Sequence, residues 1–205
     1  MNICYNYFKD SDNMDKLKSM ILNNAVILEN DNIVLDSFLN QFVDIDLLND
    51  IASRMKELYK NSNVTKIVSI ESAGIIFGTA VALALNVPLV YAKKEYFNRT
   101  PEKSYASKIY SYTKKRSYYA YIPENYISPD DNVLIVDDVI ANGWAADGLI
   151  DIINQADANL EGIAIAVEKA YHNGAKRLRS SGTRVESLVK IKSVSFETKT
   201  IEFED

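Results

Sequence analysis

Hydrophobic and polar residues follow one another along this chain in blocks that predict helices and strands in turn. From Leu47 onward, apolar residues recur with the spacing of one helical face, as at Leu48, Ala52, Met55 and Tyr59. Next comes a short β-branched run, TKIVSI, which predicts a buried strand. It is followed by a turn, ESAG, a helical segment, IIFGTAVALAL, and a second strand, PLVYA. This order predicts a βαβ unit with parallel strands.

A second unit of the same kind lies further along the chain. It consists of a predicted strand, NVLIVDDV, a small-residue turn, ANGWA, a helix, AADGLIDIINQA, and a further strand, LEGIAIAVEKA. Together the two units predict an α/β fold with an open, mainly parallel, twisted sheet flanked by helices. Ligands bind at the carboxyl ends of the strands in such sheets, and ESAG, DDVIANGWA and EKAY all fall there.

The other segments are less regular. We expect residues 1–205 to form a single domain, with residues 1–13 as a loose N-terminal extension because no period organises them. Residues 93–120 carry many lysines, arginines and tyrosines and show no sustained period. A long polar segment of this kind inside a compact domain predicts a functional loop or a hairpin over the site.

Composition and charge exclude several classes of function. A net charge of −5 does not fit a nucleic-acid-binding protein, which needs a positive field. The chain has one cysteine, Cys4, and one histidine, His172, too few for a disulfide framework or a zinc site within one chain. The apolar runs are shorter than a membrane span, and the first residues lack the apolar stretch of a secretory signal. We therefore expect a cytoplasmic protein with no nucleic-acid or membrane partner.

The stretch from Val133 to Ala145, VLIVDDVIANGWA, carries the chemistry. Two acids, Asp137 and Asp138, stand at the end of a buried strand, and a small-residue turn then leads into a helix. The backbone N–H groups of such a turn and the helix dipole favour a phosphate. The carboxylates repel a phosphate, but they suit hydroxyls or a partly hydrated magnesium ion. A phosphate beside a vicinal diol describes a ribose 5-phosphate.

This stretch resembles the phosphoribosyl pyrophosphate signature of type I phosphoribosyltransferases, although Ala141-Asn142 replaces the commonest Thr-Gly. The segments LDSFLN, TKIVSIESAG, the VDD–ANG loop, VEKA and RVESLVKI look, in this order, like the bacterial xanthine-specific branch of that family. The resemblance covers about Met14 to near the C-terminus. It implies the type I fold with a small hood from terminal segments, to which residues 14–46 would contribute. It also implies a homodimer.

The resemblance implies a reaction in which xanthine displaces pyrophosphate from phosphoribosyl pyrophosphate, with Mg²⁺ carried by the pyrophosphate. Asp137 and Asp138 would be catalytic, beneath the ribose hydroxyls. Phosphoribosyl pyrophosphate would bind the phosphate loop, the ESAG turn and a lysine: Ala141, Asn142, Gly143, Trp144, Ala145, Glu71, Ser72, Ala73, Gly74, and Lys93 or Lys94. The purine would bind Ile33, Asn40 and Lys169.

Two other functions remain open. The acceptor could be hypoxanthine or guanine, because the 6-oxo edge that Lys169 would contact is common to all three bases. The chain could also be a regulator that senses phosphoribosyl pyrophosphate without turning it over. Such regulators usually carry a basic face or an added winged-helix domain, and this chain has neither the length nor the positive charge.

Overall fold

The structure is a computed structural model that describes residues 14–95, 103–111 and 116–204. The predicted extension over residues 1–13 lies outside the described residues. Helices α1 to α6 span Asp15–Asn24, Asp36–Leu39, Ile45–Tyr59, Ala73–Leu85, Trp144–Gln155 and Gly174–Ser180. Strands β1 to β10 span Val26–Ile27, Ile33–Val34, Lys66–Ile70, Leu89–Glu95, Ser104–Ser111, Arg116–Pro123, Asn132–Ile140, Asn159–Lys169, Val185–Ser195 and Thr200–Phe203.

Eight of these strands form one sheet in the order β10-β9-β8-β7-β3-β4-β6-β5. The five central strands, from β9 to β4, run parallel, while β10 at one edge and β6 and β5 at the other pair antiparallel. This confirms the mainly parallel sheet predicted from the sequence. The two predicted units are β3-α4-β4 and β7-α5-β8, and they extend in opposite directions from the adjacent strands β3 and β7. The crevice at such a reversal of strand order is where open α/β sheets bind ligands.

Helices cover both faces of the sheet. One apolar cluster joins α1 to α4 to one face, and a second joins α5 and α6 to the other. The sequence determines where α3 begins, because the Asp44 side chain accepts a hydrogen bond from the N–H of Leu47 and caps the first turn of the helix. Its buried face includes Leu47, Ile51 and Met55. The other predicted members of this face are buried, whereas Leu48 is only half-buried.

The basic segment after β4 contains a hairpin, which was one of the two structures predicted for it. Strands β5 and β6 pair antiparallel from Ser104 opposite Pro123 to Ser111 opposite Arg116. The prediction that residues 93–120 lack a period was wrong for β6, where Tyr118, Ala120 and Ile122 are buried in strict alternation. Residues 96–102 and 112–115 of this segment lie outside the described part.

The described helices do not include one that is both long and apolar enough to cross a membrane.

Candidate active site

Asp137 and Asp138 lie together near the end of β7, at the reversal of strand order. The backbone N–H of Asp138 donates to Oδ1 of Asp137 at 3.0 Å. Helix α4 begins directly beside them: a Cβ atom at Gly74 would lie 2.5 Å from Oδ1 of Asp137 and 2.5 Å from Oγ of Ser69. A side chain at Gly74 would therefore push the start of α4 away from the acids.

The two acids share an environment that disfavours negative charge. Burial away from water, together with the charge of Asp138, raises the pKa of Asp137 well above its ordinary value, and the Lys94 ammonium opposes this shift. Burial also raises the pKa of Asp138, and the charge of Asp36 acts in the same direction. A positive group bound here would lower the cost of ionising both carboxyls.

The loop that follows the acids leads into the N-terminus of α5. Gly143 caps the helix with a φ of 80°, a left-handed conformation that glycine adopts without strain. A cavity of about 240 Å³ lies against this loop. Its lining includes all five predicted loop residues together with Asp137 and Lys94: Ala141, Asn142, Gly143, Trp144 and Ala145. The first N–H groups of a helix have no partner within it, so the loop can receive an anion.

Helix α6, which sequence reasoning missed, packs against the phosphate loop from behind. The N–H of Gly174 donates to the carbonyl oxygen of Ala141 at 3.1 Å. The Arg177 guanidinium forms two hydrogen bonds, of 3.0 and 2.6 Å, to the Asp147 carboxylate in the first turn of α5. The loop is thus held between two helix N-termini. The glycine of HNGAKR was the available sequence signal.

The ESAG turn joins β3 to α4 and contacts β4. The carboxylate of Glu71 accepts a hydrogen bond from the backbone N–H of Lys94 at 2.5 Å, and the Glu71–Ser72 peptide bond is cis. Ser72 is exposed, whereas Ala73 and Gly74 are buried at the start of α4.

The structure separates the two candidate lysines of β4. The ammonium of Lys94 lies 5.4 Å from the centre of the Tyr118 ring and lines the cavity beside the phosphate loop. Lys93 lines a different cavity, with Tyr91 and Tyr121, because neighbouring side chains of a strand point to opposite faces. Lys94 is therefore the one that lies near Asp137.

Lys169 and Ile33, two of the predicted purine-binding residues, are in contact. The ammonium of Lys169, at the end of β8, donates to the carbonyl oxygen of Ile33 at 2.7 Å and to Oδ1 of Asn32 at 3.1 Å. Burial lowers the pKa of Lys169, and the charges of Asp36 and Asp138 oppose that shift. The segment before α3 thus folds back over the carboxyl end of the sheet.

Asn40 directly follows α2, at its C-terminal cap, and is half-buried. Its backbone N–H donates to the carbonyl oxygen of Asp36 at 3.2 Å. Asp36, at the other end of this short helix, acts electrostatically on both Lys169 and Asp138. The helix that Asn40 caps therefore lies close to both groups. The roles of Asn40, Ile33 and Lys169 in base binding stay predictions, as does the hood formed by residues 14–46.

Trp144 lies at the first position of α5 and contacts the β5–β6 hairpin. Its ring meets that of Tyr110 edge to face, with the centres 5.5 Å apart. The side chain of Gln155, in the last turn of α5, bonds both the N–H and the carbonyl group of Ala106 in β5. The hairpin is thereby attached to both ends of α5 and forms one wall of the cavity.

The fold and the site define a phosphoribosyltransferase of type I. The family model for the phosphoribosyl transferase domain matches residues 40–200, and the chain belongs to this family. Among curated proteins, it is similar to the xanthine phosphoribosyltransferase of Clostridium novyi, with 40% identity over 181 residues, which are 88% of this chain and 95% of that protein. It is also 40% identical to the xanthine phosphoribosyltransferase of Bacillus cereus, over 91% of this chain and 95% of that protein.

Solved structures share the architecture. An adenine phosphoribosyltransferase from Saccharomyces cerevisiae matches with a TM-score of 0.70 and 26% identity, over 85% of this chain and 97% of that chain. One from Thermoanaerobacter pseudethanolicus matches with a TM-score of 0.72 and 19% identity, over 86% of this chain and 99% of that chain. The second likeness supports the fold alone.

Proposed function

We propose that this enzyme transfers the 5-phosphoribosyl group of phosphoribosyl pyrophosphate to xanthine, giving xanthosine 5′-monophosphate and pyrophosphate. The observation that carries the proposal is one arrangement at the end of two adjacent strands. Asp137 and Asp138 on β7 lie beside the phosphate loop, and Lys169 ends the adjacent strand β8, where its ammonium contacts Ile33. The names of the relatives with 40% identity support xanthine as the acceptor.

The chain would catalyse this displacement by alignment and electrostatics. A purine ring nitrogen forms a bond to the anomeric carbon and releases its proton to water, while the bond from that carbon to pyrophosphate breaks and pyrophosphate leaves. Positive charge develops on the sugar in the transition state. Asp137 and Asp138, whose charges are disfavoured in the free site, would be stabilised by that developing charge more than by the uncharged ribose ring of the bound substrate. Such a difference lowers the barrier.

The pyrophosphate would leave near Lys94 and the ESAG turn. The ammonium of Lys94 can balance the charge that accumulates on the leaving group. Mg²⁺, carried by the pyrophosphate oxygens, would act as a template and Lewis acid. The two acids fit a bound Mg²⁺, because Asp137 and Asp138 supply hard carboxylate oxygens for part of its coordination shell and the substrate would supply the rest.

The decisive experiment is a turnover assay with four bases: xanthine, guanine, hypoxanthine and adenine. We expect release of pyrophosphate and formation of nucleotide, fastest with xanthine. Binding of phosphoribosyl pyrophosphate without turnover would favour the regulator, and preference for hypoxanthine or guanine would favour the second enzyme. In Asp137→Asn and Asp138→Asn, kcat should fall by about 100-fold or more, with a smaller change in KM for xanthine. Asp151→Asn, an exposed change on α5, is the matched control.

We also propose a homodimer that works in the cytoplasm. Support for the dimer comes from large hydrophobic residues that are exposed on α4 and beside strands β4 and β6. Leu83 is 77% exposed and Tyr126 is 51% exposed. A cavity lined by Tyr91, Tyr121 and Pro123 lies on the same side. Apolar surface of this kind often marks an interface. Light scattering on the purified chain tests the dimer, and Leu83→Glu should shift it toward the monomer.

A further inference from the structure

Three hydrogen-bond donors converge on one oxygen atom beside the predicted purine site. Oδ1 of Asn32 accepts from the ammonium of Lys169 at 3.1 Å and from the hydroxyl of Tyr171 at 3.3 Å. It also accepts from the backbone N–H of Ile33 at 2.8 Å. Asn32 and Lys169 are 137 residues apart in the chain, so this cluster exists only in the folded protein.

Chemistry determines which end of the Asn32 amide faces the cluster. An ammonium, a hydroxyl and a backbone N–H can all donate, and only the carbonyl end of a carboxamide accepts. Burial raises the pKa of Tyr171 to about 12, so its hydroxyl remains protonated at neutral pH. The turn that carries Asn32 is itself anchored, because the neighbouring Asp31 carboxylate accepts from the N–H of Phe196 at 2.7 Å.

The same contacts constrain Lys169 without neutralising it. Its ammonium has three N–H donors, and Asn32 and the carbonyl of Ile33 occupy two of them. Both acceptors are uncharged, and Lys169 forms no ion pair with another described residue. The ammonium therefore keeps its positive charge, and the direction of its third N–H is set by the other two.

We propose that Asn32, held in place by Tyr171, is a positioning residue that directs the Lys169 ammonium toward the 6-oxo group of the purine. The proposal rests on the proposed function and adds two residues that lie outside the Asp137-Asp138 pair and the phosphate loop. Tyr171 would act indirectly, because its hydroxyl fixes the position of Asn32. Without Asn32, the long lysine side chain regains rotamer freedom that base binding must then remove.

Steady-state kinetics on single and double variants test this. In Asn32→Val, KM for xanthine should rise by about tenfold, the effect of one lost charge-assisted hydrogen bond, with KM for phosphoribosyl pyrophosphate unchanged. Tyr171→Phe, which removes only the hydroxyl, should raise KM for xanthine by about threefold. In the Asn32→Val background, Tyr171→Phe should add no further change, because its partner is already gone.

Asn63→Val is the matched control, since it alters an exposed asparagine in the loop before β3, at the amino ends of the strands. Thermal melting of each variant confirms folding. The proposal is overturned if Asn32→Val raises KM for xanthine no more than the control does. It is equally overturned if KM for both substrates rises together, or if the two changes multiply as independent effects.

Failure of the proposed function would look different. If the wild-type enzyme prefers guanine or hypoxanthine, xanthine is the wrong acceptor, but the same comparison is made with the preferred base because it also carries a 6-oxo group. A wild-type enzyme that uses only adenine, which has an amino group at that position, would overturn both proposals.

Discussion

The N–H of Gly174 donates a 3.1 Å hydrogen bond to the carbonyl oxygen of Ala141, which attaches the start of α6 to the phosphate loop. The two backbones are so close that a Cβ at Gly174 would lie 2.3 Å from that oxygen and 2.5 Å from the nitrogen of Gly143. Backbone atoms cannot rotate away as a flexible side chain can. The position of the loop therefore depends on the absence of a side chain at Gly174.

Gly174→Ala should displace the phosphate loop and weaken binding of phosphoribosyl pyrophosphate. We expect its KM to rise by about tenfold or more, because overpacking of this kind costs about 1–3 kcal/mol. Kinetics at saturating xanthine measure this. The control is Gly182→Ala, where φ is 91° but nothing lies within 4 Å of the added atom. That variant should lose about 1–2 kcal/mol of stability and keep its KM. Equal KM values for phosphoribosyl pyrophosphate in the two variants would show that α6 does not affect binding of this substrate.

Asp137→Asn should stabilise the ligand-free protein at neutral pH while it impairs turnover. The pKa of Asp137 is raised in the folded state, so the folded chain binds more protons than the unfolded chain above pH about 4. As pH rises, ionisation of the buried Asp137 carboxyl lowers the free energy of unfolding of the wild type. The amide of Asn at this position does not ionise, so the variant does not undergo this loss. We expect Tm at pH 7 to exceed that of wild type by about 2 °C or more, with the difference shrinking toward pH 4.

The measurement is thermal unfolding of both proteins from pH 4 to pH 8. Asp151→Asn, on the exposed surface of α5, should follow wild type throughout. If Asp137→Asn is less stable than wild type at pH 7, the carboxylate is stabilised in the free site, and our account of its electrostatics is wrong.

Glu168→Gln should destabilise the fold in a pH-dependent way. The Glu168 carboxylate is buried and accepts from Arg179 at 3.0 and 2.6 Å and from Ser187 at 2.6 Å. Burial by itself would raise its pKa, but these hydrogen bonds outweigh burial and lower it. The resulting stability is present above the unfolded pKa of about 4.3 and is lost as pH falls through the folded value.

We therefore expect Glu168→Gln to lose about 2–3 kcal/mol at pH 7 by urea unfolding, with a gap that closes below pH 4. Glu186→Gln removes a more exposed ion pair with Arg184 and should change stability by about 1 kcal/mol or less. A gap of constant size at every pH would show that packing, and not charge, accounts for the loss.

Asn40→Ala should reduce the preference for xanthine over hypoxanthine. The two bases differ by the carbonyl at the 2-position, and the Asn40 amide can donate to it. Losing a bond that leaves a buried group unpaired costs about 1–3 kcal/mol, or about 10- to 100-fold in the ratio of kcat/KM values. Asn23→Ala, an exposed change on α1, is the control. An equal loss with both bases would make Asn40 a scaffold residue.

The local pattern of hydrophobic and polar residues was enough to predict the central strands and helices of the fold. The runs before Asp137 and Lys169 are nearly continuous and apolar because strands of a parallel sheet are buried on both faces, and the helices between them carry clear apolar faces. The acid pair and the small-residue turn are also contiguous in the chain. Their association with one another could therefore be predicted without any knowledge of long-range contacts.

Shorter and more polar elements escaped prediction. Helix α6 has seven residues, too few for a helical period to show, and β1 and β2 have two residues each. Strand β6 alternates tyrosines with Ala120 and Ile122, so both of its faces carry hydrophobic atoms and the alternation was hidden. Helix α6 and strand β6 also depend on contacts with residues far from them in the sequence, in the phosphate loop and in β4.

The sequence by itself determined the phosphoribosyltransferase class, the mainly parallel sheet and the acids and loop of the site, because those features depend on periodicity and on neighbouring residues. Only the tertiary structure decided that Lys94 and not Lys93 lies near Asp137, that Gly174 supports the phosphate loop, and that Asn32 and Tyr171 meet at Lys169. The physical reason is that strand order and register bring such groups together. Hydrogen bonds across 137 residues leave no periodic trace in the sequence.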